Sequence, residues 1–330
     1  MILAGDIGGT KTVLSLLERG ADGLLRNVSE QTFASGEFSS FDDILDLFLP
    51  AATDLDSACF GIAGPVVDQR CFATNLNWIV DGEKLKTRLG TPRVRLLNDL
   101  EAMAVGMLYL DDEDFVQLNP QAEVQSGNIA VLAAGTGLGE AILYWDGAKH
   151  HPIATEGGHC SFAPQTPLQD ELLVYLRRIY PQHVSWERLL SGIGFSHLYD
   201  FLLASGFAPA CPAVPSANDA GLQGVDRNAV ISRLGVNGED ALCSEVIRLF
   251  VELYAQEAGN LALKSFATGG VFIGGGIGPK IRPLLDSPAF MQAFVAKGRF
   301  QALLSKLSVK LALNPRTPLI GAMHYFSPQS

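Results

Sequence analysis

The sequence is short of several things. Its five cysteines, Cys59, Cys71, Cys160, Cys211 and Cys243, never stand closer than 12 residues to one another. No C-x-x-C pair therefore offers a zinc or redox site. An odd number at wide spacing argues for reduced thiols in a cytoplasm, not for a disulfide framework. Basic residues are also scarce: 24 Lys and Arg stand against 35 Asp and Glu, for a formal net charge of -11. Binding a nucleic acid needs Lys and Arg to neutralise phosphates, so no nucleic-acid partner is expected. Long apolar runs are missing too. The strongest candidate, FATGGVFIGGGIG at 266–278, is too short and too rich in glycine to span a bilayer, so no membrane partner is expected. The opening MILAGDIGG has no basic region and carries Asp6 early, which does not fit a secretory signal peptide. No G-x-S-x-G occurs, so a serine hydrolase is not supported.

What remains is a chain of 330 residues, enough for about two domains. Hydrophobic residues make up 48% of it, sufficient for a sizeable core. The 34 glycines gather in short groups with no collagen-like period.

The first group, GDIGGTKT at 5–12, nearly spells the P-loop G-x-x-x-x-G-K-[ST], but Thr10 stands where a glycine belongs. A P-loop must also open a helix, so that the helix N-terminus faces the phosphates. The residues after Lys11 show no clean helical period and soon reach a second turn, RGADG. Ile2–Ala4 is apolar and Thr12–Leu17 is compatible with a strand, so the reading is strand, glycine turn, strand. The same pattern returns at NIAVLA, GTGLG and EAILYWDG (128–147), which ends on an Asp-Gly hairpin signal. This duplication points to two related halves. A third group, Gly274–Gly276, follows the apolar GGVFI and leads to Pro279 at a helix start.

Glycine lets backbone N–H groups approach a phosphate closely, and a threonine hydroxyl adds a donor. Three such clusters at strand ends point to a nucleotide. A Rossmann fingerprint fails, because Glu140 and Pro279 occupy its last glycine position in the second and third clusters.

Ser40 is a cap for a helix over 41–49 that places Phe41, Ile44, Leu45 and Phe48 on one face. SACFGIAGPV (57–66) reads as a buried strand ending in a Gly-Pro turn, and RVRLLNDL (93–100) as a strand ending at Asn98-Asp99, where a helix begins. That pair is either an N-cap favoured by the helix dipole or a general base at a strand end. Asp6 is either a turn-forming aspartate or a carboxylate that holds Mg beside phosphates. In EGGHCSFAP (156–164), Glu156 and His159 stand three apart, yet the glycines between them argue against a helix. No further Cys or His lies at ligand spacing, so a loop presenting a carboxylate and an imidazole is favoured over a metal site. HVSWERLLSGIG (183–194) reads as a helix capped by Ser185, with Glu187 in its first turn. Residues 206–224 read as a surface excursion, and 238–266 as a long helix with Leu242, Val246, Leu249, Phe250 and Leu253 at core spacing.

Taken in order, GDIGGT, LLNDLEAMAVG, AAGTGLGEA, EGGHCSFAP, HVSWERLLSGIG and GGVFIGGGI resemble the signature segments of bacterial glucokinases, over residues 5 to about 300. The resemblance implies an α/β fold of two actin-like (ribonuclease-H-like) domains flanking an interdomain active-site cleft. The small domain would hold 1–110 plus about 317–330, and the large domain 111–316. The implied reaction is Mg-ATP-dependent phosphoryl transfer to the 6-hydroxyl of glucose or a close hexose.

By the same resemblance Asp99 is the catalytic base, Asn98 binds the sugar, and Glu156, His159 and Glu187 hold sugar hydroxyls, with Asn75 and the Gly64-Pro65 turn lining the same substrate-binding pocket. Gly5, Asp6, Ile7, Gly8, Gly9 and Thr10 form the first phosphate loop, Asp6 standing near Mg through water. Gly135, Thr136 and Gly137 form the second, and Gly274, Gly275 and Gly276 lie by the adenosine. Dimers are common among such relatives. The related repressor-and-kinase family carries C-x-C-G-x-x-G-C after its Glu-Gly-His segment. This chain does not, which places it with zinc-free glucokinases. The other readings are a kinase for another hexose or an N-acetylhexosamine, a non-catalytic sugar sensor, and a sugar-independent ATPase.

Overall fold

A computed structural model describes residues 1–50, 53–73, 76–217 and 224–327. The chain divides into two compact units. One comprises Met1–Asp114, Lys149–Ala154 and Asn314–Ser330; the other comprises Phe115–Ala148 and Thr155–Leu313. The boundaries expected near 110 and 317 fall at 114 and 314, and Lys149–Ala154 clusters with the first unit instead of the second.

In the first unit, β1 (Ile2–Ile7), β2 (Lys11–Arg19), β3 (Leu25–Ala34), β4 (Ser57–Ile62) and β8 (Val94–Asn98) form one sheet in the order β3-β2-β1-β4-β8. Three short strands, β5 (Val66–Val67), β6 (Arg70–Phe72) and β7 (Ile79–Asp81), form a separate antiparallel sheet. β1 is antiparallel to β2 and parallel to β4, which is parallel to β8. β4 is buried along its whole length, as a strand covered on both faces must be. The helix Phe41–Phe48 starts at Ser40, whose hydroxyl accepts from the Asp43 N–H while the Asp43 carboxylate accepts from the Ser40 N–H. Its buried residues are Phe41, Ile44, Leu45 and Phe48, the predicted face.

The helix Asp99–Met107 follows β8 without a loop and packs on the helix Thr317–His324. The two backbones nearly touch. A Cβ on Gly106 would lie 1.9 Å from the Thr317 carbonyl oxygen, and one on Gly321 would lie 1.8 Å from that of Ala102. Only glycine allows this approach.

The second unit repeats the plan. β10 (Ile129–Ala134) is antiparallel to β11 (Leu138–Trp145) and parallel to β13 (Gly270–Gly274), which is parallel to β14 (Val309–Ala312); β9 (Phe115–Gln117) closes the edge beside β14. Its core centres on the helix Ala241–Ser265, capped by the Asp240 carboxylate on the Cys243 N–H at 2.9 Å. Leu242, Val246, Leu249, Phe250 and Leu253 are all fully buried, as the helical spacing predicts. The described part of the expected surface excursion, 206–217 and 224, is mostly exposed and is anchored to this core by Cys211 and Val214; residues 218–223 lie outside the described residues. Among the described residues no helix is long and apolar enough to cross a membrane.

Candidate functional site

In the first unit, the turn between β1 and β2 is a hairpin closed by the Gly8 N–H on the Lys11 carbonyl at 3.0 Å. No helix follows, so the P-loop resemblance has no structural counterpart. The turn is held from outside by Ser35. Its N–H donates to the Thr10 carbonyl at 3.1 Å, its hydroxyl donates to the Gly8 carbonyl at 2.7 Å, and the Thr12 hydroxyl lies 3.0 Å from it. Ser35 is completely buried, and nothing in its local sequence marks it out.

Asp6 leaves β1 just before this turn. Burial, reinforced by the negative charge of Asp99, pushes its carboxyl up to about 6, while the Lys11 ammonium pulls it down. The two aspartates thus share an electrostatic neighbourhood within one unit. Two hard oxygen donors whose mutual repulsion a cation would relieve suit Mg chemically. Lys11 is exposed at the start of β2, close enough to act on Asp6.

Asn98 ends β8 and caps the next helix. Its side-chain oxygen accepts from the Glu101 N–H at 2.6 Å, and the Glu101 carboxylate accepts from the Asn98 N–H at 3.0 Å. Asp99 is the first helical residue, and its carboxylate accepts from the Leu100 N–H at 3.0 Å. The cap engages only the carbonyl oxygen of the Asn98 amide, so capping and sugar binding are compatible uses of this residue. Gly64, at φ +143°, turns the chain after β4. Asn75 lies outside the described residues.

In the second unit, the turn Gly135–Gly137 joins β10 to β11, with the Gly135 N–H donating to the Gly137 carbonyl at 2.8 Å. The turn after β13 is pinned beside it, because the Ile277 N–H donates to the Ala134 carbonyl at 3.1 Å. Gly135, Thr136 and Gly276 line one cavity of about 830 Å³, together with Asp226, Asn228 and Lys280. The last three are polar groups that no motif announced.

Glu156 precedes and His159 ends a short 3₁₀ turn, Gly157–His159, closed by the His159 N–H on the Glu156 carbonyl at 3.0 Å. The glycines expected to prevent a helix permit this tight turn instead, and both side chains are exposed. Glu187 also lies on a 3₁₀ turn, Trp186–Arg188, not on the expected capped helix. Ser185 makes no side-chain cap, because a backbone bridge to Ser161 holds it extended. The regular helix starts only at Gly192. That bridge, with the Trp186 N–H on the Cys160 carbonyl at 3.0 Å and the Phe162 ring edge-on to Trp186, ties the Glu156–His159 turn to the Glu187 turn. The Glu187 carboxylate also accepts from the Leu138 N–H at 3.0 Å, fixing it against the end of the Gly135–Gly137 turn. Within this unit, three predicted segments therefore form one connected assembly.

A glycine-turn hairpin followed by parallel strands, built twice in one chain, is the two-domain actin-like ATPase architecture of sugar kinases. A family model described as Glucokinase matches residues 3–329. A glucokinase from Synechocystis sp. is 39% identical over 340 residues, spanning 97% of this chain and 96% of its own. The crystal structure of a glucokinase from an Antarctic psychrotroph superposes with a TM-score of 0.83 at 32% identity, over 98% of each chain. A ROK family glucokinase from Streptomyces griseus, solved in complex with glucose and AMPPNP, shares the fold with a TM-score of 0.60 at 20% identity, over 98% of each chain. The chain belongs to the glucokinase family and is an ATP-dependent kinase that phosphorylates a hexose.

Proposed function

We propose that the enzyme transfers the γ-phosphoryl group of Mg-ATP to the 6-hydroxyl of D-glucose, with Asp99 as the general base. The observation that carries this reading is the placement of Asp99 at the first residue of a capped helix, within electrostatic reach of Asp6 at the first phosphate turn. Asp99 takes the proton from the 6-hydroxyl as that oxygen attacks the γ-phosphorus. The N–H groups of Gly9 and Thr10 and of Thr136 and Gly137 hold phosphate oxygens, those of Gly8 and Gly135 being spent on closing the two turns. Asp6 would hold Mg beside the phosphates, and the ion would offset the negative charge on the transferring group. Gly274–Gly276 lies against the adenosine, and the 830 Å³ cavity is large enough to admit it.

Glucose presents several hydroxyls, each both donor and acceptor. Asn98, Glu156, His159 and Glu187 offer an amide, two carboxylates and an imidazole that meet them in fixed directions. A site built from such groups rejects analogues that lack a hydroxyl. The glucose held by the Streptomyces griseus glucokinase, although that likeness is one of fold, supports glucose as the acceptor. The described cysteines are all unpaired, which supports a cytoplasmic enzyme.

A coupled assay with glucose and Mg-ATP tests the reading. Asp99→Asn is expected to lower kcat by about 10²–10⁴-fold while glucose binding largely survives. Full activity in that variant would remove Asp99 as the base. A panel of hexoses and N-acetylhexosamines with the same donor would expose a different acceptor.

A further inference from the structure

Beneath the Glu156–His159 turn lies a carboxyl group that the reaction does not use. Glu140, on β11, is 1% exposed, and Glu257, on the helix Ala241–Ser265, is fully buried. The two carboxyls stand close enough for the charge of Glu257 to act on Glu140. Glu257 is otherwise satisfied: one of its oxygens accepts from the Asn260 amide at 2.8 Å and the other from the Lys264 ammonium at 3.1 Å. Among the described residues Glu140 has no ion-pair partner of its own, and its Oε1 has no hydrogen-bond partner. A charged carboxylate in that position would be buried, beside a like charge, with an unmet acceptor. The stable arrangement is a neutral Glu140 whose proton bridges to Glu257.

The turn rests directly on this acid. A Cβ on Gly157 would stand 2.1 Å from Glu140 Oε2 and 2.8 Å from its Cδ, so the turn seats only because Gly157 has no side chain. A second tie is Thr155. Its hydroxyl donates to the Glu140 backbone carbonyl at 2.8 Å and accepts from the Gly157 N–H at 3.1 Å. The β11 residue that carries the acid therefore also fixes the backbone of the turn.

We propose that Glu140 is a positioning residue for sugar binding, holding the Glu156–His159 turn in place through its neutral carboxyl under Gly157. The proposal rests on the assignment of Glu156 and His159 to the sugar. It makes the sugar site sensitive to alkali. Burial, then the facing Glu257, push the Glu140 carboxyl up to about 8, with Lys264 opposing. The other groups that face the pair are Tyr254 on the same helix, Lys297 through Asn260, and the Cys160 thiol at the end of the turn, which acts on Lys264. Above about pH 8, ionised Glu140 repels Glu257 and draws water, and the turn loses its seat.

Glucose KM, ATP KM and kcat should be measured from about pH 6.5 to 9.5 for the wild type, Glu140→Gln, Glu140→Ala and Gly157→Ala. In the wild type, glucose KM is expected to rise about tenfold by about pH 9, as a single ionisation near 8 dictates, with ATP KM unmoved. Glu140→Gln keeps a donor to Glu257 but has no proton to lose, and should abolish the rise while retaining turnover. Glu140→Ala and Gly157→Ala should raise glucose KM at every pH. A flat wild-type profile would overturn the inference. So would an undiminished rise in Glu140→Gln, which would assign it to Lys297, whose ammonium burial brings down to about 8. A wild type without glucose phosphorylation would overturn both this inference and the reading it rests on. An active wild type that fails either pH test overturns this inference alone.

Discussion

At the scale of single residues, the turn proposed as the first phosphate loop depends on a buried serine outside it. Ser35 supplies two hydrogen bonds to the Gly8–Thr10 turn, one from its N–H and one from its hydroxyl. A turn that must present N–H groups to phosphate works best when its carbonyls are held elsewhere, and Ser35 holds those of Gly8 and Thr10. Replacing it with alanine removes the hydroxyl bond and leaves the Gly8 carbonyl and the Thr12 hydroxyl short of a partner. A buried hydrogen bond of this kind contributes about 1 kcal/mol, or about fivefold in an equilibrium constant. Ser35→Ala is therefore expected to raise ATP KM about fivefold and leave glucose KM near the wild-type value. Steady-state kinetics with each substrate varied in turn checks this. An unchanged ATP KM would mean that the turn keeps its shape without Ser35.

At the scale of elements, what places Asp99 is the crossing of its helix with Thr317–His324. Each glycine there faces a backbone carbonyl of the other helix at a distance that a methyl group cannot share. Gly321→Ala must push the helices apart, and overpacking of this sort costs about 1–3 kcal/mol. Urea denaturation should report that loss, and kcat should fall with it, because the displaced helix begins with the proposed base. A stable variant with full kcat would show that the crossing has slack.

The same scale separates what was legible in the sequence from what was not. The two hairpins could be read because an apolar strand, a glycine cluster and a second strand are contiguous. So could the cap at Ser40 and the core face of the helix Ala241–Ser265, which are local patterns. The turn at Trp186–Arg188 carries a helix pattern in its sequence, because the contact that keeps Ser185 extended comes from Ser161, on a different segment. Gly106 and Gly321 lie far apart along the chain, and Ser35 resembles any other loop serine. In the sequence Glu140 stands out only as the residue that breaks a Rossmann fingerprint; its neighbour Glu257 is remote in sequence. Contacts distant along the chain determine how the site is held, and one sequence does not display them.

For the whole molecule, the carboxyl pair makes stability depend on pH, and its sign can be worked out. Glu140 titrates near 4.5 as a free side chain but near 8 in the folded protein. Between those values the folded state holds a proton that the unfolded state has lost. This group's stabilising contribution is therefore complete below about 4.5 and is lost progressively as pH rises through about 8. Lys297 acts with the opposite sign in a higher window, since its ammonium is brought down from 10.5 to about 8 and the folded state sheds that proton first. Asp6 acts with the same sign as Glu140 at lower pH, being raised from 3.8 to about 6. Comparison of the wild type with Glu140→Gln cancels both of these and isolates Glu140. The thermal midpoint of Glu140→Gln minus that of the wild type is expected to grow steadily from about pH 5 to about pH 8 and then to level off. Melting curves at half-unit pH intervals test this. Parallel profiles for the two proteins would mean that Glu140 is already ionised in the folded state, and would remove the neutral acid from beneath the Glu156–His159 turn.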